Sequence, residues 1–159
     1  MALILLSCLL QKDDGAIKAL TEFYSEEFKR IDKESLDVLD LCSSWISHLP
    51  SSVKYGKVVG LGMNEQELAA NEALTSYVVQ DLNENPSLQF EDDSFDVICN
   101  VVSVDYLTQP LDIFREVYRI LRPGGVALMS FSNRCFPTKA VAMWLQGCSC
   151  VTGFSRCCL

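Results

Sequence analysis

A run of strand, helix, glycine stop and strand constrains the fold of this chain more than any other feature. Residues 95–104 are almost entirely apolar and rich in Val and Ile, which is typical of a strand buried on both faces of a parallel sheet. Pro110 then opens a helix whose inner, apolar face is predicted to contain Leu111, Phe114, Val117, Tyr118 and Leu121. Pro123 and Gly124 end that helix before a second apolar run at 126–131. Because parallel strands need a crossover connection, this stretch predicts an α/β fold with a parallel sheet flanked by helices.

The residues before this run continue the alternation of strands and helices. Apolar residues spaced three to four apart predict an amphipathic helix over 17–28, and Asn64 is a favourable N-cap for a helix over 64–70. Residues 43–50 are predicted to form a loop and the start of a helix, and 139–145 another helix. The strands predicted in this part cover 35–42, 57–61 and 77–80.

The length of 159 residues fits one domain of ordinary size. We divide the chain into an N-terminal segment with its amphipathic helix (1–34), an α/β domain (35–146) and an irregular, cysteine-rich tail (147–159). Residues 1–10 are almost wholly apolar, but they are too few to span a bilayer and lack the basic start of a secretory signal. We therefore expect no membrane span, and a buried strand, a helix or an irregular start at this position.

Charge and cysteine spacing argue against two classes of function, nucleic-acid binding and metal binding. The formal net charge is −8, and such a surface repels phosphate backbones, so we expect no nucleic-acid partner. Four of the eight cysteines lie in the last 12 residues, but as Cys-x-Cys and Cys-Cys rather than the Cys-x2-Cys pairs of zinc sites. The one histidine, His48, is far from them in sequence. We therefore predict no metal site.

Two strings carry a resemblance to a known family. FEDDSFDV at 90–97 and LRPGG at 121–125 occur in the order and at the separation found in class I, Rossmann-like S-adenosylmethionine-dependent methyltransferases of the type 11 group. The resemblance covers about 36–132. NVVSVDYL at 100–107 and SFSNRC at 130–135 are similar to a plant subgroup of uncharacterised methyltransferase-domain proteins. The resemblance implies a Rossmann-like sheet, S-adenosyl-L-methionine as cofactor, and methyl transfer to an unknown acceptor, either a small molecule or a protein.

The resemblance also implies a set of cofactor-binding residues in the early half of the domain. Asp40 matches the acidic residue of the first motif. The glycines that normally follow it are replaced by a loop that includes Ser43 and Ser44, whose backbone N–H groups and hydroxyls can still approach the ligand. Trp45 is the largest obstacle in this loop unless it points elsewhere. Asp40 has a second interpretation, as a residue that caps the turn after its strand.

Two further family motifs place the remaining cofactor contacts. Gly62 aligns with the acid that normally binds the ribose hydroxyls, so Asn64, or Glu65 by register, is expected to substitute for it. Asp81 matches the acid that contacts the adenine amino group, with Leu82 beside it. The alternative for Asp81 is a turn-forming role, because Asn83 follows it.

Catalytic residues are less defined, because the sulfonium cofactor carries the reactive group and the protein chiefly orients the acceptor. Asp105 and Tyr106, just after the 95–104 strand, are the candidates to orient or deprotonate the acceptor. Their alternative is a loop that leads into the helix at Pro110. The cytosol is the default location. A plastid is the alternative raised by the plant resemblance, although residues 1–10 do not resemble a transit peptide.

The C-terminal part departs from the family pattern. The family's sheet has further strands after the one at 126–131, whereas residues 147–159 lack strand periodicity. This predicts a truncated form whose sheet is incomplete at the C-terminal edge, with an exposed strand available for association with another chain. It also supports an alternative function: a methyltransferase-like protein without catalysis, either partner-binding or a non-functional isoform. A nicotinamide dehydrogenase is disfavoured, because its glycine fingerprint is absent.

Overall fold

The computed structural model describes residues 2–7, 14–131 and 155–158, and these form seven strands, three α-helices and one short 3-10 helix. In chain order the elements are β1 (Ala2–Ser7), α1 (Asp14–Phe28), β2 (Leu36–Leu41), β3 (Tyr55–Gly62), α2 (Glu65–Ala70), β4 (Ser76–Val79), β5 (Phe95–Val101), the 3-10 helix (Val104–Tyr106), α3 (Pro110–Ile120), β6 (Leu121–Phe131) and β7 (Ser155–Cys158).

A single sheet in the order β4-β3-β2-β5-β6-β1-β7 is the centre of the fold. The pairs from β4 through β6 are all parallel, with Val38 beside Val97 and Val97 beside Val126 across the middle. The chain builds outward from β2 to β4 and then returns to place β5 on the other side of β2. This confirms the Rossmann-like α/β class, and it puts the reversal of strand order between β2 and β5.

The outer side of β6 is paired, so the prediction that this strand leaves an exposed edge is wrong. β1 runs parallel to β6, from Ala2 beside Val126 to Ser7 beside Phe131, and β7 is antiparallel to β1. The backbone groups of β1 satisfy those of β6, which would otherwise form an open template for another chain. Residues 155–158 also form a strand within a tail that was predicted to be irregular; the boundaries of the three segments remain predictions.

Alternate residues of the central strands pack on opposite faces of the sheet, where each meets a helix. On one face Leu39 and Ile98 join the apolar side of α3, which buries Ile113, Val117 and Ile120. On the other face Val38 and Val97 pack with Leu20, Tyr24 and Phe28 of α1. Both predicted amphipathic helices are confirmed. The predicted inner face of α3 is wrong at Leu111 and Tyr118, which are 70% and 62% exposed, because the buried stripe follows Ile113, Val117 and Ile120.

The two strings FEDDSFDV (90–97) and LRPGG (121–125) lie at the amino ends of β5 and β6. Arg122, the second residue of β6, donates to Asp37 at 2.9 Å and to Asp96 at 3.0 Å. The Asp37 backbone N–H and Lys33 also bond Asp96, which is 4% exposed. Gly125 lies where a Cβ would be 2.8 Å from the Asp96 backbone oxygen. Arg122 and Asp96 therefore join the starts of β2, β5 and β6.

Other predictions have mixed outcomes. Asn64 caps α2 as expected, with its side-chain oxygen accepting from the backbone of Gln66 at 3.0 Å. No helix starts within 43–50, which is irregular. The predicted helix over 139–145 lies outside the described residues. None of the helices in the described part of the chain is long and apolar enough to cross a membrane.

Candidate functional site

A cavity of about 450 Å³, here called the first cavity, opens beyond the carboxyl ends of β2, β3 and β4. The loop after β5 closes its other side. Ligands of open parallel sheets bind at this end, next to the reversal of strand order. The first cavity is lined by Cys42, Ser43, Ser44, Leu61, Gly62, Met63, Asn64, Glu67, Gln80, Asp81, Leu82, Asn83, Ser103, Tyr106 and Leu107.

The loop after β2 makes a tight turn without glycine. Cys42 adopts a φ of 60°, the left-handed conformation that glycine normally provides. The Ser43 N–H then donates to the Leu61 backbone oxygen at 2.8 Å, which lays the loop across the end of β3. At Gly62 a Cβ would come closer than 3.0 Å to the Ser43 backbone oxygen. Glycine is therefore needed at Gly62, on the strand that the loop crosses.

The loop after β2 lacks the family's glycines, and side-chain hydrogen bonds fix its conformation. Asp40 Oδ2 accepts from Ser43 Oγ at 2.6 Å and from Ser47 Oγ. Asn71 Nδ2 donates to the Ser44 backbone oxygen at 2.8 Å and to Ser47 Oγ at 3.0 Å. Burial raises the pKa of the Asp40 carboxyl, although both serine bonds and nearby His48 act in the opposite direction. Asp40 thus organises the turn after its strand.

Polar groups from α2 form one wall of the first cavity. Glu67, in the first turn of α2, accepts from Asn64 Nδ2 at 3.0 Å and from Ser44 Oγ. The Asn64 side-chain oxygen is occupied by the backbone N–H groups of Gln66 and Glu67. The wall therefore presents a carboxylate whose orientation is fixed from two sides.

The loop after β4 forms the opposite wall. Asp81 Oδ1 accepts from the Asn83 backbone N–H at 2.8 Å, which is the turn-forming role, yet Asp81 also lines the first cavity. Leu82 beside it is 4% exposed and supplies an apolar surface. Gln80 Oε1 is buried and has no hydrogen-bond partner among the described residues. This wall combines acceptor oxygens with an apolar side chain.

The loop after β5 contributes the third wall. Asn83 ties it to the loop after β4: its Nδ2 donates to the Tyr106 backbone oxygen at 3.1 Å, and its Oδ1 accepts from Thr108 N at 2.8 Å. Tyr106 lines the first cavity. Asp105 is 4% exposed and lines neither the first cavity nor the neighbouring cavity around Trp45. Burial raises the pKa of Asp105, against a smaller opposite effect of a backbone hydrogen bond.

A second cavity of about 580 Å³ lies on the far side of the loop after β2. It shares Cys42, Ser43, Ser44 and Ser103 with the first cavity and adds Asp40, His48, Trp45 and Ile46. Trp45 and Ile46 are 56% and 67% exposed. Burial lowers the pKa of His48, and Asp40 partly opposes this shift. Trp45 therefore belongs to the second cavity and leaves the first one open.

The first cavity brings together most of the residues predicted for the site: Ser43, Ser44, Asn64, Asp81, Leu82 and Tyr106. Asp40 lines the second cavity instead. Sequence reasoning missed Glu67 and Gln80. The spacing of Asn64 and Glu67 matches a capping box, in which the third helical residue reaches back to the cap, and this pattern could have identified Glu67. In the described part of the chain, no group of three potential metal ligands occurs.

Comparison with known proteins identifies the family. Residues 39–129, more than half of the chain, match the family described as "Methyltransferase domain". The chain belongs to this methyltransferase family. S-adenosylmethionine is the cofactor implied by that membership.

One sequence relative and one structural neighbour are named methyltransferases. A demethylmenaquinone methyltransferase of Lactococcus lactis is 33% identical over an alignment of 103 residues, and the match covers 59% of this chain and 41% of the relative. The chain thus spans less than half the length of this relative. A solved S-adenosylmethionine-dependent methyltransferase of Aquifex aeolicus has a TM-score of 0.53 at 20% identity, covering 85% of this chain and 84% of that one.

Another solved structure with the same fold has a different activity in its name. The [4+2]-cyclase SpnF has a TM-score of 0.59 at 18% identity, covering 90% of this chain and 61% of that one. A shared fold does not by itself define the reaction, so the residues of the site must carry the functional argument.

Proposed function

We propose that this methyltransferase-family chain binds S-adenosylmethionine in the first cavity and transfers its methyl group to an acceptor that enters from the second cavity. The main support for this proposal is that the glycine-free loop after β2 leaves the first cavity open, because Trp45 of this loop lines the second cavity instead. A volume of about 450 Å³ lies within the range of small-ligand sites, about 300–1,000 Å³. An obstructed cleft would have favoured a protein without catalysis.

The walls of the first cavity suit the three parts of the cofactor. Asp81 and the Gln80 side-chain oxygen, which has no hydrogen-bond partner among the described residues, are acceptors for an adenine amino group, and Leu82 offers a surface for the ring. The wall formed by α2 is polar and suits the ribose. Ser43 and Ser44 are proposed to face the methionine part, where their hydroxyl groups and backbone can form hydrogen bonds.

The protein's contribution to the reaction is orientation of the acceptor. When bound, S-adenosylmethionine supplies an electrophilic methyl group, so no covalent intermediate on the protein is required. Tyr106 lines the first cavity and can position an acceptor by its hydroxyl. Asp105 lies too deep to touch a ligand in either cavity, so we propose a supporting role for it behind Tyr106.

We propose a small molecule with an apolar body as the acceptor. The second cavity offers Trp45 and Ile46 as exposed apolar surface, and a large aromatic side chain binds flat apolar groups well. His48 and Asp40 line the same cavity and provide polar groups to orient the acceptor. The Lactococcus lactis relative is named for demethylmenaquinone, and this name fits an apolar acceptor.

Calorimetric titration with S-adenosylmethionine tests the proposed function. We expect micromolar binding to the unmodified chain, a loss of at least tenfold in Asp81→Ala and no loss in Glu84→Ala. Glu84 is the matched control, because it is an exposed acid in the same loop that does not line the cavity. Trp45→Ala should bind the cofactor normally. The absence of binding to the folded, unmodified chain would overturn the proposal and favour the alternative without catalysis.

A further inference from the structure

We propose that the Glu67 carboxylate accepts hydrogen bonds from the ribose hydroxyls of the cofactor, in place of an acid at the end of β3. This inference rests on the proposed function and assigns one contact within it. It is carried by three observations: the closed space at Gly62, the position of Glu67 on the cavity wall, and the hydrogen bonds that leave its carboxylate with free acceptor sites.

No side chain fits at the end of β3. A Cβ on Gly62 would approach the Ser43 backbone oxygen to less than 3.0 Å, and it would be 3.3 Å from Leu68 Cδ2. The obstructing atom is backbone, and Ser43 is held there by its N–H bond to Leu61 and its hydroxyl bond to Asp40. An acid at Gly62 would therefore require the whole loop to move.

Glu67 places a carboxylate on the same wall from the next element. It is half-buried and lines the first cavity together with Gly62 and Asn64. Glu65, the alternative suggested by sequence register, is exposed and does not line the cavity. The loop after β2 occupies the space at the end of β3, so the carboxylate on this wall comes from α2 instead of from the strand end.

The hydrogen bonds of this wall leave Glu67 as its ribose acceptor. Asn64 Oδ1 already accepts from the Gln66 and Glu67 backbone N–H groups, so it is committed to capping α2. The Glu67 oxygens accept one bond each, from Asn64 Nδ2 and Ser44 Oγ. A carboxylate offers about four lone-pair sites, so about two remain for a pair of hydroxyl donors. The two existing bonds fix the carboxylate and reduce the entropic cost of binding.

A comparison of two ligands and two variants tests the inference by calorimetry. The ligands are S-adenosylhomocysteine and its 2′,3′-dideoxy analogue, and the variants are Glu67→Gln and the matched control Glu65→Gln. Because hydrogen bonds to a charged acceptor are the stronger ones, we expect Glu67→Gln to bind S-adenosylhomocysteine about tenfold or more weakly. The dideoxy analogue should bind the unmodified chain and Glu67→Gln equally, and Glu65→Gln should match the unmodified chain with both ligands.

The outcomes separate this inference from the proposed function. If the unmodified chain binds S-adenosylhomocysteine and Glu67→Gln binds it equally well, the ribose contact is wrong and the cofactor site stands. An equal loss for both ligands would also overturn the contact, because the effect would not depend on the hydroxyls. If the unmodified chain binds neither ligand, the proposed function fails and the contact fails with it. Circular dichroism establishes that each variant is folded.

Discussion

The backbone oxygen of Ser43 occupies the space that a side chain on Gly62 would need. This relationship joins the loop after β2 to the end of β3 and sets the shape of the first cavity on that side. It also accounts for two differences from the family pattern, one in the loop after β2 and one at the end of β3. The loop lacks glycines, and the strand it crosses must have one.

Substitution of Gly62 should therefore be costly. Because the obstructing atom is backbone, we expect Gly62→Ala to lower the free energy of unfolding by about 1–3 kcal/mol through overpacking. Gly62→Asp, which introduces the acid typical of the family, should cost more. Met63→Ala is the control: Met63 is 69% exposed, so its change should stay within about 0.5 kcal/mol. Urea denaturation measures all three, and an unchanged midpoint for Gly62→Ala would contradict the packing described here.

Val102 is strained where the chain leaves β5. Its φ is 45°, a left-handed conformation that is a genuine outlier for a β-branched residue. Its N–H still donates to the Ser130 backbone oxygen at 2.9 Å, so the surrounding sheet holds the conformation. Such strain costs on the order of 1–3 kcal/mol and is concentrated at functional sites. Val102 lines the second cavity, in agreement with this tendency.

Relief of this strain should stabilise the protein. Asn tolerates the left-handed conformation, so we expect Val102→Asn to raise the free energy of unfolding by about 1 kcal/mol. The same substitution at half-exposed Val79, in β4, should be neutral or destabilising, because strands disfavour Asn. Thermal unfolding of both variants checks the result. A melting temperature that falls by the same amount in both would show that strain at Val102 is not significant.

The ion pairs of Asp96 at the amino ends of the strands make the stability of the protein depend on pH. Burial alone would raise the pKa of Asp96, but the Asp37 amide, Lys33 and Arg122 outweigh it and lower the pKa. The unfolded chain therefore takes up a proton at a higher pH than the folded one. The stabilisation is complete above the unfolded value of about 3.9 and is lost as the pH falls through the lower pKa of the folded state.

Asp96→Asn tests this ion-pair network. The Asp96 carboxylate is buried, but Lys33 and Arg122 remain partly exposed to water, so we expect a loss of about 1–3 kcal/mol at pH 7 from the weakened charged hydrogen bonds. The variant should also lose less stability than the unmodified chain between pH 5 and pH 2. Asp112→Asn is the control, because Asp112 pairs with Arg115 at an exposed position where ion pairs contribute little. Identical acid dependence in Asp96→Asn and the unmodified chain would contradict the assignment.

Local sequence patterns predicted most of the fold. The run of Val and Ile in β5 and the Asn64 cap depend on neighbours in the chain, and each lies where expected. The buried face of α3 was predicted only in part, because it contains Ile113 and Ile120 instead of Leu111 and Tyr118. The pairing of β1 with β6 depends on segments more than 100 residues apart, so periodicity could not predict it. The ion pairs of Arg122 also join segments far apart in the sequence. The LRPGG string resembles the family, but the bonds of Arg122 to Asp37 and Asp96 could not be predicted from it.

The candidate site was predicted in part for a related reason. Ser43, Asn64 and Asp81 follow strand ends, and strand ends of a parallel sheet meet at one edge, so their convergence could be expected. The role of Glu67 depends on how α2 packs beside the loop after β2. Asp105 was a reasonable candidate from its position, but the short 3-10 helix turns it inward and leaves Tyr106 on the cavity wall.

A heteronuclear NMR titration of the ¹⁵N-labelled chain with S-adenosylhomocysteine tests most directly whether the first cavity binds the cofactor. If the first cavity binds the cofactor, the amide shifts will concentrate around it, at Ser43, Gly62, Asn64, Leu82 and Tyr106. Amides at the opposite end of the sheet, near Asp96 and Arg122, should stay unchanged. Shifts concentrated at that opposite end, or no shifts at saturating ligand, would contradict the claim that the first cavity is the cofactor site.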